Sequence, residues 1–485
     1  MNNGVYVNGD WRPGHGPAFQ SYDPATGAII FEATSADNAD VIRTVIAARK
    51  AFPKWAAKTR AERIALIKRY AEALKAREAE IAEAICRDTG KPLWEGKAEA
   101  ATMIGKAALS IRAYNERTGE RSEDAVFGRL SLAHKPWGVM AVLGPFNFPG
   151  HLPNGHIVPA LLAGNTVVFK PSELAPLVST LMIKAFEEAE LPEGVVNIVM
   201  GARETGAYLL AATGIDGVLF TGSATTGIAI HRQFGGRPEV ILALEMGGNN
   251  ALIVWHPCGV EEAADQIVHS AFITAGQRCS CARRLILPKG DWGDAVLASV
   301  VARIKTMVVG PWNGPKEPFI GPLISPTQAA RVRSTMVELL ARGAVSIIDP
   351  VIGSPGPAFV RPGMMDVTNA TDIPDEELFA PFLQVTRVAT FEKALQVAND
   401  TRFGLSGGLV CDDPARWDEA QNTLRAGVLN WNRPTTGASG AMPFGGPGLS
   451  GDGRPSAYYA ADYCAWPVAR QEADKATRLP APGLN

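Results

Sequence analysis

Two cysteines that flank a single serine, in FITAGQRCSCARR (residues 272–284), could do chemistry most directly because of their type and spacing. A cysteine nucleophile needs partial exposure, a lowered pKa and an acid–base partner. Arg278, Arg283 and Arg284 lie beside Cys279 and Cys281 in the sequence and would supply positive potential. The stretch therefore favours a thiol nucleophile on a loop that follows a helix.

A metal site and a disulfide are the alternatives for the same pair of cysteines. Structural zinc takes four ligands, and only His256 and His269 lie near Cys279 in the sequence. A disulfide between residues two apart would be strained, and widely spaced cysteines do not form a disulfide framework. We therefore expect no metal, and we expect Cys86 and Cys464 to be small buried apolar residues.

Glu245 is the candidate base. It ends an apolar run in LALEMGGNN and precedes two glycines that allow a tight turn. A carboxylate held against apolar surroundings has its pKa raised toward neutrality, which suits a general base. The alternative is that Glu245 is a solvated residue of a turn.

A phosphate site is indicated by LFTGSATTG, where Gly222 and Gly227 stand between a predicted strand and a predicted helix. Such a turn can seat a phosphate on the helix N-terminus. The spacing departs from the GxGxxG pattern of dinucleotide-binding folds, so this motif alone does not identify the ligand.

The elements that must position these residues form two α/β units. Residues 38–118 repeat apolar residues three and four apart, which predicts amphipathic helices, one of which ends at Gly90. After Lys135, short apolar runs alternate with helical stretches and predict a parallel sheet. The alternation restarts near Ile241 and predicts a second domain. We expect RLSLAHKPWG and the C-terminal tail to be extended segments that complete a sheet in a partner subunit.

Composition limits the classes of function. The chain has 485 residues, of which 46% are hydrophobic and 20% charged, and its formal net charge is −2. A nucleic-acid partner and an anionic membrane surface are therefore not expected. The N-terminal stretch lacks a signal-peptide pattern and no apolar run is long enough to cross a bilayer, so we expect a cytoplasmic protein with reduced thiols.

Seven motifs, in their order along the chain, resemble the aldehyde dehydrogenase superfamily. They are GPFNFP (144–149), AGNTVVFKPSE (163–173), FTGS (220–223), LEMGGNN (244–250), GQRC (276–279), EELFAP (376–381) and PFGGPGLSG (443–451). The resemblance implies an aldehyde-dehydrogenase-like α/β fold, with two Rossmann-like domains, parallel sheets and a small β oligomerisation element. It implies an NAD-binding domain (1–118 and 138–245), a catalytic domain (246–445) and oligomerisation segments (119–137 and 446–485) of a homodimer or dimer of dimers.

The same resemblance implies which residues act. Cys279 matches the nucleophile, which leaves Cys281 as a bystander beside the pocket, and Glu245 matches the general base. Asn147 matches the amide that forms an oxyanion hole with the backbone N–H of Cys279. The implied chemistry is oxidation of an aldehyde to a carboxylic acid, through a thioester that is hydrolysed by water activated at Glu245.

NAD is the implied cofactor. Lys170 and Glu173 match residues that hold the adenosine ribose, Ser223 lies near the pyrophosphate, and Glu377 and Phe379 match residues at the nicotinamide riboside. The same motifs add these candidates: Ser172, Phe220, Thr221, Gly222 and Gly227. A carboxylate on the ribose hydroxyls would repel a 2′-phosphate, so we expect NAD to be preferred over NADP.

Two motifs depart from the family pattern. EELFAP has Ala380 where the family usually has glycine, and the added methyl group is expected to shift the loop that carries Phe379. EMGGNN has Met246 and Asn249 where leucine and lysine are common, changes that the volume beside the base should tolerate.

Longer strings, such as GQRCSCARRL and RPSAYYAADYCAWP, are similar to family members that act on a semialdehyde with two carboxylates. A pocket that buries carboxylates needs cations or several N–H donors. Arg278 and Arg433 are therefore the candidates to hold them, with His151, Asn154 and Ser280 as further polar candidates. For each arginine, a purely structural ion pair is the alternative.

Three other functions stay open. The chain could oxidise another semialdehyde or a broad range of aliphatic aldehydes. It could release its thioester to coenzyme A or phosphate instead of water, although a water-activating Glu245 argues for hydrolysis. It could also be a catalytically silent structural or binding protein, against which the presence of Cys279, Glu245 and Asn147 argues.

Overall fold

The computed structural model describes residues 3–479 and 481–483. The first half of the chain forms eleven strands: β1 Val5–Val7, β2 Asp10–Arg12, β3 Ala18–Tyr22, β4 Ile29–Thr34, β5 Arg121–Ala125, β6 Gly128–Pro136, β7 Val139–Leu143, β8 Thr166–Lys170, β9 Val196–Val199, β10 Gly217–Gly222 and β11 Ile241–Met246. It also forms eight helices: α1 Asn38–Ala56, α2 Arg60–Ala76, α3 Glu78–Thr89, α4 Leu93–Arg117, α5 His151–Ala163, α6 Leu177–Glu188, α7 Arg203–Ala211 and α8 Ala224–Phe234.

The second half contributes the strands β12 Asn250–Val254, β13 Ala282–Pro288, β14 Val345–Ile348, β15 Val351–Ile352, β16 Val360–Arg361, β17 Gly363–Asp366, β18 Phe382–Val388, β19 Ser406–Val410, β20 Val428–Trp431, β21 Pro443–Phe444, β22 Ser456–Ala457 and β23 Ala465–Glu472. Its helices are α9 Val260–Phe272, α10 Asp291–Thr306, α11 Pro326–Ala341, α12 Phe391–Asn399, α13 Pro414–Thr423 and α14 Ala460–Tyr463, with short 3₁₀ turns at Ile273–Gly276 and Gly448–Ser450.

The first large sheet has the order β11-β10-β7-β8-β9-β1-β2. Strands β11 to β9 are parallel, and every residue of β7, β8 and β9 is buried, as expected for strands that helices cover on both faces. The predicted α/β fold is confirmed. The predicted parallel sheet is present, and it is extended at one edge by β1 and β2, an antiparallel hairpin whose turn residues Asn8 and Gly9 both have positive φ.

The second large sheet has the order β14-β17-β18-β13-β12-β19-β20, and it is parallel except for β14. Its strands begin after the last strand of the first sheet, so the chain passes from one α/β unit to the next between Met246 and Asn250. The carboxyl edge of the first sheet and the amino end of β12 therefore lie close together. Open α/β sheets bind their ligands at such carboxyl edges.

A separate three-stranded sheet has the order β23-β6-β5. The C-terminal strand β23 pairs antiparallel with β6 from Ala465↔Pro136 to Glu472↔Arg129. We expected this tail to find its partner strand in another subunit. It instead finds that strand in its own chain, and β5 is left as one edge of the small sheet.

The predicted helices of residues 38–118 are present, and α3 ends at Gly90, which adopts a left-handed conformation with φ of 73°. A single helix was predicted to run up to that glycine. The chain instead breaks at Arg77, between α2 and α3. Within the described residues, none of the helices combines the length and the apolar character that crossing a bilayer requires.

Candidate active site

Cys279 lies where two cavities meet. The smaller cavity, of about 210 Å³, is lined by Cys279 together with Lys106, His151, Arg278 and Ser280, among others. The larger cavity, of about 350 Å³, is also lined by Cys279, and further by Asn147, Ser223, Glu245 and Phe379, among others. A thiol in this position can contact one molecule in each cavity at the same time.

The loop that carries Cys279 has an unusual backbone. Thr274, Ala275 and Gly276 are consecutive left-handed residues, with φ of 57°, 51° and 70°. A side chain on Gly276 would place its Cβ 2.2 Å from the carbonyl oxygen of Ala380, so only glycine fits there. Non-glycine residues pay about 1 kcal/mol or more for this conformation, and such strain persists only where surrounding contacts impose it.

Asn250 holds this loop in place. Its side-chain amide Nδ2 donates to the carbonyl oxygens of Cys279 (2.7 Å) and Cys281 (2.9 Å), and its Oδ1 accepts from the N–H of Ser406 (3.0 Å). The register explains the contact, because Asn250 at the start of β12 is paired with Ala282 at the start of β13. Sequence reasoning missed Asn250, although it lies inside the LEMGGNN motif.

Glu245 lies near the end of β11 and is only 4% exposed. Its Oε2 accepts from the Ser456 hydroxyl (3.1 Å), while Oε1 is buried without a partner among the described residues. Burial raises the pKa of Glu245 well above its usual range, against the lowering effect of Ser456. The alternative of a solvated turn residue is therefore wrong.

The arginines expected to activate the thiol point elsewhere. Arg283 donates to the carbonyl oxygens of Gly276 and Arg278 and pairs with Glu377, and Arg284 donates to backbone carbonyl oxygens, among them that of Asn249. Burial raises the pKa of Cys279, and the charges of Glu245 and Glu377 raise it further. This direction is opposite to the lowered thiol pKa that was expected, although the charge of Arg283 acts to lower the pKa.

Two N–H donors lie near the thiol. Asn147 is 6% exposed, and its Nδ2 donates to the carbonyl oxygen of Gln277 (2.9 Å), which leaves its second N–H for a ligand. Among the residues that the structure describes, the backbone N–H of Cys279 has no hydrogen-bond acceptor. Both donors therefore suit an oxyanion that forms beside Cys279.

The predicted cofactor residues gather around the larger cavity. Those that line it directly are Ser172, Phe220, Thr221, Gly222, Ser223, Glu377 and Phe379. Lys170 and Glu173 are not among the residues that line this cavity; Lys170 is buried, and its Nζ lies 3.0 Å from Oε2 of Glu173. Gly227 packs beneath this cavity, where an added Cβ would lie 2.3 Å from Sδ of Met246.

Two features of the larger cavity fit a dinucleotide. Ser223 caps α8 by accepting from the N–H of Thr226, and both residues line the cavity, so the helix N-terminus faces its interior. At the other end, the Phe379 ring packs edge-on against Phe146 at 5.9 Å. The cavity thus offers a phosphate site at one end and aromatic surface near Cys279 at the other.

The departures from the family pattern are accommodated. Ala380 is buried, its φ is not in the left-handed region, and Phe379 lines the larger cavity, so nothing in the structure requires glycine at this position. Asn249 donates to Asp375 (2.9 Å). Met246 packs against α8 at Gly227.

The predicted substrate residues divide into two groups. His151, Arg278 and Ser280 line the smaller cavity. Asn154 is fully buried behind it, where its amide group bonds the Tyr70 hydroxyl and the carbonyl oxygen of Met103. Arg433 is exposed and, within the described part of the chain, lines neither cavity.

Arg278 is already engaged by the protein. Its guanidinium pairs with the buried carboxylate of Glu95 (2.8 Å), and its Nε donates to the Thr274 hydroxyl (2.7 Å). The structural ion pair that was the alternative for this arginine is therefore present. Cys86 and Cys464 are buried, which agrees with their prediction as packing residues, whereas Cys281, predicted to lie beside the pocket, is buried and lines neither cavity.

The amino-acid sequence was compared with protein families and with proteins of known name. Residues 11–466 match the model of the aldehyde dehydrogenase family. The N-succinylglutamate 5-semialdehyde dehydrogenase of Caulobacter sp. (strain K31) is 56% identical over 98% of each chain, and the protein of the same name from Paraburkholderia xenovorans (strain LB400) is 50% identical over 99% of each chain.

Solved structures show the same architecture. The crystal structure of PnpE from Pseudomonas sp. WBC-3 is 29% identical, with 99% of each chain covered and a TM-score of 0.92. A second structure of PnpE, in complex with nicotinamide adenine dinucleotide, aligns over the same share with a TM-score of 0.93.

Proposed function

The chain belongs to the aldehyde dehydrogenase family, and we propose that it oxidises N-succinylglutamate 5-semialdehyde to N-succinylglutamate with NAD, a step of arginine catabolism. Two kinds of similarity support the proposal. Relatives at 50–56% identity over nearly the whole chain carry the name of this activity. PnpE, at 29% identity, was solved with the dinucleotide bound.

One observation carries the proposal: the thiol of Cys279 lines both cavities, and Glu245 lines the larger one with it. An aldehyde in the smaller cavity would meet the thiol on one side, and a nicotinamide in the larger cavity would meet it on the other. No other described cysteine lines either cavity. The arrangement supports a reaction in which one carbon atom is first attached to sulfur and then oxidised.

The residues of the larger cavity fit NAD. Ser223 and the N-terminus of α8 would hold the pyrophosphate, Lys170 and Glu173 the adenosine ribose, and Glu377 and Phe379 the nicotinamide riboside. When bound, the nicotinamide accepts the hydride that leaves the substrate carbon. The Glu173 carboxylate beside Lys170 favours a ribose with free hydroxyl groups, and hence NAD over NADP.

The chain's own residues perform the remaining steps. The Cys279 thiol loses its proton to solvent water before it attacks, which leaves the unpartnered Oε1 of Glu245 free to act in the hydrolytic step. The sulfur then adds to the aldehyde carbon, and the resulting oxyanion accepts hydrogen bonds from Asn147 and the Cys279 N–H. Each such donor contributes about 3–4 kcal/mol to the transition state.

Loss of hydride converts the adduct into a thioester on Cys279. Glu245 then accepts a proton from water, and the hydroxide attacks the thioester carbon and releases the carboxylic acid. The raised pKa of Glu245 suits this task, because burial makes its carboxylate a stronger base than that of an exposed glutamate.

The test is NADH production by the purified protein, with Cys279→Ser as the blank. We expect kcat/KM for N-succinylglutamate 5-semialdehyde to exceed that for glutamate 5-semialdehyde by about a hundredfold, or 2.7 kcal/mol. Equal kcat/KM values for the two aldehydes would show that the natural substrate is a different aldehyde. NADH release that depends on coenzyme A would contradict hydrolysis.

A further inference from the structure

The smaller cavity contains a buried lysine without a partner. Lys106, on α4, is 3% exposed and lines the cavity that opens onto Cys279. Its Nζ makes no hydrogen bond and no ion pair with the residues that the structure describes, and burial is the one influence on its charge. Lysines this deeply buried are almost always paired, because a lone buried ammonium is costly.

A second lysine shows what a structural role looks like in the same region. Lys91 is as deeply buried as Lys106, but its Nζ lies 2.7 Å from the carboxylate of Glu99 and 3.5 Å from the centre of the Phe148 ring. Its charge is therefore satisfied within the protein. Among the described residues Lys106 has no such carboxylate, so the position of a partner is open to an anionic ligand.

The cavity around Lys106 has space for an anion and no anion of its own. The cavity volume of about 210 Å³ gives the space, and Gly155 on α5 lies against the lysine, since a Cβ there would be in ordinary contact at 3.4 Å from Cε and 3.6 Å from Nζ. None of the described residues that line the cavity is an aspartate or a glutamate. His151 and His156, which face Lys106 from α5, are neutral, because burial and then the charge of Lys106 lower the pKa of each to about 3.

The other cationic side chain of the cavity, Arg278, is less available to bind a carboxylate of the substrate. Arg278 is paired with Glu95, so the two together carry no net charge, and Thr274 fixes the guanidinium further. The uncompensated positive charge in the smaller cavity therefore belongs to Lys106. His151 Nδ1 is also buried without a partner, and Ser280 adds a hydroxyl group to the same wall.

We infer that the ammonium of Lys106 binds a carboxylate of the substrate and makes the enzyme selective for anionic aldehydes over neutral ones. The inference rests on the proposed function and deepens it. A substrate carboxylate would supply the partner that the protein does not, and the aldehyde end of the same molecule would extend to Cys279. Lys106 is then a specificity residue that contacts the substrate and takes no part in proton or hydride transfer.

The experiment compares Lys106→Met with wild type on two aldehydes, N-succinylglutamate 5-semialdehyde and propanal. We expect kcat/KM for the succinylated substrate to fall about 10- to 100-fold, mainly through KM, as for loss of a charge-assisted hydrogen bond. For propanal, kcat/KM of Lys106→Met should equal that of wild type. Lys97→Met, at an exposed position of the same helix, is the control and should change neither value.

A pH profile separates binding from mere support of the fold. Burial lowers the pKa of Lys106 to about 8, so its charge is lost as the pH rises through that value. In wild type, kcat/KM for the succinylated substrate should therefore fall above about pH 8 relative to that for propanal. The arginine in Lys106→Arg stays charged at all these pH values. In this variant, kcat/KM for the succinylated substrate should therefore not fall relative to that for propanal above pH 8.

The outcomes distinguish the inference from the function on which it rests. Wild type that does not prefer the succinylated substrate to propanal would contradict the proposed function whatever Lys106 does. A clear wild-type preference that Lys106→Met retains within about twofold would overturn the inference alone. If Lys106→Met is not recovered folded, Lys106→Gln gives the same comparison, and equal losses on both aldehydes would likewise overturn the inference.

Discussion

One group at the reaction centre is held in a form that costs stability. Glu245 is buried with one carboxylate oxygen unpartnered among the described residues. This arrangement does not help the chain to fold, because a buried carboxylate is stabilised only when it is paired. Such residues are expected where catalysis needs a base with a raised pKa.

Glu245→Gln should therefore stabilise the protein, and more so at high pH. The native state binds a proton on Glu245 that the unfolded state has already released, so stability falls as the pH rises from glutamate's usual pKa to the raised one. Gln lacks this penalty, which amounts to about 1.4 kcal/mol per unit of pKa difference. Melting temperatures should show that the variant's advantage over wild type grows from pH 5 to pH 8. An advantage that is the same at both pH values would contradict the raised pKa.

Residue type identified the nucleophile and the base, but it did not identify all of the site. Cys279 and Glu245 stand out because thiols and strand-end carboxylates are recognisable in a sequence. Lys106 lies in a helix whose one other lysine, Lys97, is exposed, and nothing in the spacing of the helix marks Lys106 as unpaired. The sequence does not show that Arg278 and Arg283 are engaged elsewhere, because their partners Glu95 and Glu377 lie far away along the chain.

At the scale of elements, the site depends on a junction between two sheets. The carboxyl edge of the first sheet supplies Glu245 and the turn that carries Ser223, while the amino end of β12 supplies Asn250. Asn250 ties the left-handed loop of Cys279 to β19 through Ser406. The position of the thiol is therefore set by the second sheet.

Asn250→Ala should lower both activity and stability. Three buried hydrogen bonds are lost and the loop is released, so we expect kcat to fall about a hundredfold and the free energy of unfolding to fall by about 2–4 kcal/mol. Steady-state kinetics and chemical denaturation measure the two effects.

Asn249→Ala is the matched control for this change. It removes a hydrogen bond to Asp375 at the neighbouring position and leaves the loop of Cys279 held. We expect reduced stability with kcat within about threefold of wild type. Equal losses of kcat in the two variants would show that Asn250 has no special effect on the thiol.

Local patterns predicted most elements, and tertiary pairing decided the rest. The helices of residues 38–118 and the alternation after Lys135 followed from apolar periodicity. The antiparallel strands β1, β2 and β14 at the ends of the two large sheets did not, because periodicity does not encode strand direction. The break at Arg77 was also missed, since the apolar spacing continues through it.

At the scale of the whole molecule, the three-stranded sheet β23-β6-β5 exposes apolar side chains to solvent beside its β5 edge. β5 forms one edge, and the turn after it exposes Val126 completely and half of Phe127. An unpaired edge beside exposed apolar side chains favours association with another chain. We propose that this turn lies in the contact of a homodimer or a dimer of dimers.

Replacement of Val126 and Phe127 by aspartate should weaken that contact. Light scattering after size exclusion should give at least two chains per particle for wild type and a smaller particle for the double variant, because buried charge opposes association. Val345→Asp, which alters an exposed valine of the second sheet, is the control and should leave the mass unchanged. A wild-type protein that elutes as a single chain would contradict the proposal.

The roles of Cys279 and Glu245 are tested most directly by trapping the covalent intermediate on Cys279. Glu245→Gln protein is mixed with N-succinylglutamate 5-semialdehyde and NAD, quenched with acid and analysed by peptide mass spectrometry while NADH is recorded. We predict a burst of about one NADH per chain and an N-succinylglutamyl group on the peptide that contains Cys279. Turnover at the wild-type rate, or an acyl group found on a different residue, would contradict the assignment of Cys279 as nucleophile and Glu245 as the base that hydrolyses its thioester.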